Sequence, residues 1–390
     1  MRSFTVEERR ARLARRHFLA GGTRARDPVE VAGGLVGLHA TDPATVFLSA
    51  RARGVEGAAL ERALYGERSV LRMIGMRRTL FVLPLDLAAV VQAACTESIL
   101  AASRRRYVKL IESGGIAADG EAWLAEAGAE TLRALEARGE AFAAELSTDV
   151  PLLREKIHFG EGTKWASSTG MTSWVLFLLA AEGRVVRGRP RGAWTSSQWR
   201  WAPAEAWLER PLPRLEPEVA RIELASRWLA AFGPASVTDL KWWTGWTLAQ
   251  TRAALGAIDV VEVDLEGSPG FVLSRDLEPE PEPEPWAAFL PSLDPTVMGW
   301  KVRDWYLGEH APVLFDRNGN AGPTVWWNGR VVGGWAAPKG GDLAYRLLED
   351  VGADAARAIE AEAERLHAWL GETKVTPRFA TPLAKELVDG

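Results

Sequence analysis

Cysteine is almost absent from this chain: Cys95 stands alone in 390 residues. That excludes an internal disulfide and any thiolate-rich zinc site. Histidine is scarce as well. His17, His158, His310 and His367 are scattered without metal-ligand spacing, so no metal site is expected. No apolar run approaches the ~18 residues that a membrane span needs. The longest, Trp174-Val175-Leu176-Phe177-Leu178-Leu179-Ala180-Ala181, has the length of a core helix. The N-terminal arginines are followed by no apolar signal-peptide core. A cytoplasmic protein without a membrane partner is therefore expected. The chain also lacks a Gly-x-x-x-x-Gly-Lys-Ser/Thr phosphate loop, a Gly-x-Gly-x-x-Gly after a strand, and a Gly-x-Ser-x-Gly. Neither a nucleotide cofactor nor a serine triad is expected, and no other cofactor is implied.

What is present is unevenly placed. The net charge is −4, yet residues 1–110 hold 19 Lys and Arg against 10 Asp and Glu. Residues 183–201 hold five arginines and no acid, whereas residues 342–390 hold six basic and ten acidic residues. Segregation of this kind suits one surface that faces a polyanion. Tryptophan is abundant, 18 in all. Most should be core or interface anchors, and a few are free to stack on bases.

The order of predicted elements repeats. Thr5-Val6-Glu7-Glu8 is a capping box that opens a helix over residues 5–20. Asp27-Pro28 and Asp42-Pro43 open two more, each with Asp as N-cap and Pro at the first helical position. Two β-rich runs between Ser69 and Pro84, split by a bend at Gly75, read as a hairpin. A long amphipathic helix from Gly120 to Arg138, a short helix, and an apolar helix over residues 171–182 precede a second hairpin whose tip carries arginines. Pro217 to Phe232, a short helix near Leu240, and Thr247 to Leu255 precede a third. Glu-Pro repeated four times over residues 278–285 is a semi-rigid linker. Beyond it, Asn328-Gly329 marks another hairpin, Asp354 to Leu370 a helix, and Lys374 to Arg378 a final strand. The expected fold is α+β: three tandem winged helix-turn-helix units over residues 1–85, 86–210 and 211–277, then a β-rich, barrel-like domain over residues 286–390.

One stretch concentrates polar chemistry. Gly37-Leu38-His39-Ala40-Thr41-Asp42-Pro43 packs an imidazole, a hydroxyl and a carboxylate into four residues ahead of a helix N-terminus. Residues two apart on an extended segment face one side, so His39 and Thr41 are placed to share a cleft. Asp42 alternatively serves only to cap, with His39 a packing residue. The wing positions Arg72, Arg77, Arg78, Arg187, Arg189 and Arg191 are the candidate DNA contacts; solvated solubility charges are the plainer reading of the same residues.

This stretch, together with Met76-Arg77-Arg78-Thr79-Leu80, Trp243-Thr244-Gly245 and Thr376-Pro377-Arg378-Phe379, resembles the winged-helix family of AlkZ- and YcaQ-like DNA glycosylases over essentially the whole chain. The resemblance implies a concave face for double-stranded DNA and hydrolysis of the N-glycosidic bond of bulky or crosslinked alkylpurines, in repair or in resistance to DNA-alkylating agents. It also implies a catalytic pair, Gln-x-Gln or Gln-x-Asp, where this chain has His39-Ala40-Thr41. His39 would then accept a proton from the attacking water, Thr41 would orient it, and Asp42 would supply negative charge. With no lysine beside the pair, a Schiff-base lyase is disfavoured, so the enzyme is expected to be monofunctional; a monomer is expected. The competing function is a DNA-binding or transcription-regulating protein without chemistry. A third reading treats the tryptophan-rich C-terminal half as an aromatic pocket that sequesters a small ligand.

Overall fold

The computed structural model describes residues 1–159, 167–338 and 343–389. The helix starts follow their capping chemistry. Thr5 caps Val6–Arg16 (α1): its hydroxyl accepts from Glu8 N at 3.2 Å and Glu8 accepts from Thr5 N at 3.1 Å. Asp27 caps Pro28–Gly34 (α2), accepting from Glu30 N at 2.8 Å, and Asp42 caps Pro43–Ala52 (α3). Leu38–His39 (β1), Val70–Ile74 (β2) and Leu80–Pro84 (β3) form an antiparallel sheet in the order β1-β3-β2.

The register of that sheet sorts its side chains. Residues paired directly across an antiparallel ladder share a face. Leu38, Val82 and Arg72 therefore lie on one face, and His39, Phe81 and Met73 on the other.

Helices followed by a hairpin occur twice more. Gly120–Arg138, Ala143–Asp149 and Met171–Ala181 precede the strands Val185–Pro190 and Trp199–Pro203, with Ala141–Phe142 as the third strand of that sheet. Pro217–Phe232, Val237–Thr244 and Leu248–Gly256 precede Val260–Asp264 and Pro269–Leu273. The middle unit has its own core around Leu124, Leu135, Val175 and Leu179. The first and third share a larger core with the C-terminal region, from Leu13 and Val82 through Trp228 and Trp300 to Leu383. Tryptophans build much of it. Trp300 stacks on His17 with ring centroids 5.7 Å apart, and Trp326 on Tyr306 at 5.4 Å. Trp228, Trp300 and Trp326 are buried in this core, as most tryptophans were expected to be.

Several expectations change. The C-terminal sheet is open: Ala287–Leu290, Thr324–Trp327, Arg330–Ala336 and Ala344–Leu347 pair in that order, and no barrel closes among the described residues. Lys374 to Arg378 joins no strand. Pro377 has no N–H to give a ladder, and the segment is drawn instead to Asp42. The Glu-Pro run is not a free spacer. Arg12 donates to Asp276 O and Glu278 O at 2.7 and 2.5 Å, and Arg16 pairs with Asp276 and Glu280 at 3.1 and 3.3 Å. Much of the N-terminal basic excess is therefore spent internally. The count of uninterrupted apolar residues also passed over the helical passage Leu85–Ser113. Its best 18-residue window reaches a mean hydropathy of 1.4, enough by length and composition for a span, and half of that window is buried inside the fold. A final helix, Pro382–Asp389, had no expected counterpart.

Candidate functional site

The approach to β1 is a tight turn. Gly37 has φ +109°, and a Cβ there would meet the Leu83 side chain at 2.7 Å. Only glycine fits, and the turn delivers Leu38 and His39 into the sheet. His39 pairs with Phe81, their ring centroids 5.1 Å apart, and is 4% exposed. Its Nδ1 is buried and has no hydrogen-bond partner among the described residues. Burial first, and then the charge of Arg77, lowers the imidazole to about 3, so the folded protein holds it neutral. Thr41 sits against the same strand: its Oγ1 accepts from Leu80 N at 3.4 Å.

Asp42 is committed elsewhere. Oδ1 accepts from Ala44 N at 3.1 Å as the cap of α3. Oδ2 accepts from Arg378 N at 3.0 Å and from Ser292 Oγ at 3.4 Å, and Arg378 Nη1 donates to Thr41 O at 3.3 Å. The carboxylate thus clamps the C-terminal segment onto the end of β1. A small cavity lies behind this clamp, lined by Asp42, Thr45, Leu48, Ser292, Trp335 and Pro377. Asp42→Ala is expected to cost about 1–2 kcal/mol from the lost cap alone, with Asp42→Asn retaining most of it. Urea denaturation of the two variants checks this.

The β2–β3 hairpin tip is strained. Arg77 and Arg78 are consecutive non-glycine residues in the left-handed region, at φ +53° and +61°. Arg77 lies 4.0 Å from the centre of the Trp242 ring, and Arg303 lies 4.8 Å from the same ring. Gly245, left-handed at φ +78°, ends the helix beside Arg77. Among the described residues no acid pairs with Arg77. Burial and then Arg303 lower its guanidinium to about 10, and its Nε is buried without a partner. Arg78 donates to Tyr107 OH at 2.6 Å and lies over Phe177. The tip therefore joins the first unit to both others.

The six candidate arginines do not converge on one hollow. Arg77 stands close enough to His39 for its charge to act on the ring, whereas Arg78 turns to Tyr107 and Phe177. Arg72 is buried on the opposite sheet face, against Tyr65 and Trp199. Arg187 is half-buried over Trp201, and Arg189 is exposed over Tyr65 and pairs with Glu61 at 3.5 Å. Arg191 is exposed over Phe142. The wing position of Arg72 is thus corrected: strand alternation turns its side chain inward, to 3% exposure, instead of displaying it on the wing. Trp242, Arg303 and Arg378 had not been singled out as site residues. Trp242 and Arg378 fall beside or within short motifs already picked out, but nothing in the sequence marks Arg303. Among the described residues no group of three or more His, Cys, Asp or Glu is placed to hold a metal ion.

A chain of repeated helix–hairpin units, with a neutral polar side chain and unpaired guanidiniums meeting at a strand end, has the build of a nucleic-acid-processing protein. Residues 32–369 match the AlkZ-like family of DNA glycosylases, and the chain belongs to that family. The solved structure of Streptomyces sahachiroi DNA glycosylase AlkZ superposes with a TM-score of 0.71 over 97% of this chain and 100% of that one, at 21% identity. The two share a fold. No curated protein sequence matches the chain.

Proposed function

We propose that this protein is a monofunctional, monomeric DNA glycosylase of the cytoplasm. It hydrolyses the N-glycosidic bond of bulky or crosslinked alkylpurines in double-stranded DNA, in repair or in resistance to alkylating agents. Its three helix–hairpin units act as winged helices. The observation that carries this reading, beside family membership, is His39: a neutral ring with an uncommitted nitrogen, at the first position of the implied catalytic pair.

The chemistry asks little of it. In a cationic alkylated purine the C1′–N bond breaks with its electron pair going to the base, which leaves neutral. Water then adds to the oxocarbenium-like carbon and its proton passes to solvent. A ring lowered to about 3 is too weak a base to keep that proton at neutral pH. His39 instead orients the water as a hydrogen-bond acceptor, with Thr41 as second partner. Asp42 fixes the segment. Arg77, Arg78, Arg189 and Arg191 take the phosphates. Because His39 is 4% exposed, an extruded nucleotide reaches it only if the Arg77–Arg78 tip gives way.

That same enclosure favours the second reading, a DNA-binding or regulatory protein that excises nothing. One experiment separates them. The protein is incubated with duplex carrying a bulky alkylpurine and assayed for released base and heat-labile abasic sites, while duplex affinity is measured against salt. Excision is expected, with affinity falling steeply as salt rises, by about 0.9 log units per log unit of salt for each phosphate neutralised. Salt-sensitive binding without release would leave the binding protein. Affinity indifferent to salt would remove both.

A further inference from the structure

On the sheet face opposite His39 lies a second cationic cluster, enclosed rather than displayed. Arg72, from the middle of β2, is 3% exposed. Its Nη1 donates to Tyr65 OH at 3.3 Å, but its buried Nε has no partner among the described residues. The guanidinium lies 5.1 Å from the ring centre of Trp199, whose Nε1 is likewise buried and unpartnered. Arg187, from the neighbouring Val185–Pro190 strand, brings a second guanidinium, 4.4 Å from the Trp201 ring centre. Burial and the nearby charge of Arg72 lower Arg187 to about 9. Arg189 closes the rim over Tyr65, where Glu61 is its partner. Among the described residues no carboxylate pairs with Arg72 or Arg187.

Two like charges sharing a partly buried space, with no counter-ion, disfavour the folded state. The orphaned atoms are also of one kind. Arginine Nε and indole Nε1 donate and never accept. Buried donors ordinarily have partners, so what the cluster lacks is an acceptor carrying negative charge. Two planar guanidiniums match tetrahedral oxyanions better than they match a halide. We propose that Arg72, Arg187 and Trp199 form a binding site for a phosphate group, separate from the segment at His39. Stacking alone would hold the arginines over their rings but leaves the unpartnered donors and the absent counter-ion without a cause. The proposal does not depend on glycosylase activity.

The test uses the full chain and no alkylated DNA. Thermal melting is followed in potassium phosphate and in potassium chloride at matched ionic strength, for wild type and Arg187→Met. Phosphate is expected to raise the wild-type Tm by a few degrees over chloride, as for any ligand that binds only the folded state. Arg187→Met is expected to lose that response and, in chloride, to melt at or above wild type, because one of two repelling charges is gone. A wild-type Tm indifferent to phosphate, or a variant that melts lower in chloride and keeps the response, would overturn the site. Calorimetric titration with inorganic phosphate and with dimethyl phosphate identifies the source. Binding of the diester points to a DNA backbone phosphate and binding of inorganic phosphate alone to a free phosphate, whereas saturation by neither would sink the proposal.

Discussion

Asp294→Ala is expected to cost about 3–5 kcal/mol of folding stability, the loss typical of leaving one partner of a buried ion pair alone. Asp294 and Arg53 are both wholly buried. The carboxylate accepts from Arg53 Nη2 at 2.8 Å and Nη1 at 2.9 Å, from Ser49 Oγ at 2.6 Å and from Thr296 N at 2.9 Å. Arg53 also donates to Ser49 O and to Thr296 Oγ1, and Thr296 Oγ1 meets His17 Nδ1 at 2.9 Å. One network thus ties the ends of α1 and α3 to the loop that precedes Trp300. Removing the carboxylate strands a guanidinium in the core. A double variant, Arg53→Met with Asp294→Leu, should recover most of the loss, since apolar groups of similar volume are tolerated where a lone charge is not. Urea denaturation of the two variants decides it; an Asp294→Ala protein within 1 kcal/mol of wild type, about the size of an ordinary hydrogen bond, would show the pair to be dispensable.

The same carboxylate sets an acid limit. Burial pushes Asp294 up, but the charge and hydrogen bonds of Arg53, with those of Ser49 and Thr296, bring it net below the ordinary carboxylate range. A depressed carboxylate contributes stability above its unfolded pKa, near 3.9, and that contribution is lost as pH falls through the folded value. His17 and His39 act earlier. Each is lowered to about 3 by burial first, with nearby arginine charge adding to it. Below about pH 6.5 the unfolded chain takes up protons that the folded chain does not, so stability falls with pH from that point downward.

Local chemistry was legible in the sequence, and long-range pairing was not. Thr5, Asp27 and Asp42 could be read as caps because a cap needs only its own side chain and the next three residues. The hairpins of the three units could be read from β-rich runs and their bends. Arg72 looked like a wing residue because a strand's inward face is fixed by register against β3, which pattern alone does not give. Arg12 and Arg16 read as part of a polyanion-facing surface, whereas their acceptors lie some 260 residues away on the Glu-Pro run. The final strand failed at Pro377, where the ladder loses a donor and Asp42 takes the Arg378 N–H. At the site itself, His39 and Thr41 could be picked out as a polar pair. That Arg303 shares Trp242 with Arg77 could not, because three segments of chain meet there.

His39→Ala is expected to lower kcat/KM for excision of a bulky alkylpurine by about 10²–10³, the usual cost of removing one preorganised polar group at a reacting centre. His39→Gln should retain most of the activity, because an amide oxygen can accept the same hydrogen bond from water and needs no titration. The pH profile distinguishes this role from that of a general base. A base titrating near neutrality gives a rate that rises through its pKa. A ring already neutral in the fold gives a flat profile from about pH 6.5 to 9, the range above the histidine reference value. Activity lost below that range should track unfolding measured by circular dichroism at the same pH, since His17 and His39 take up protons only as the fold opens. A rate that climbs tenfold per pH unit through the neutral range in a fully folded protein would assign the proton to another group. A His39→Ala protein of unchanged rate would remove the imidazole from the chemistry and leave it as packing beside Phe81.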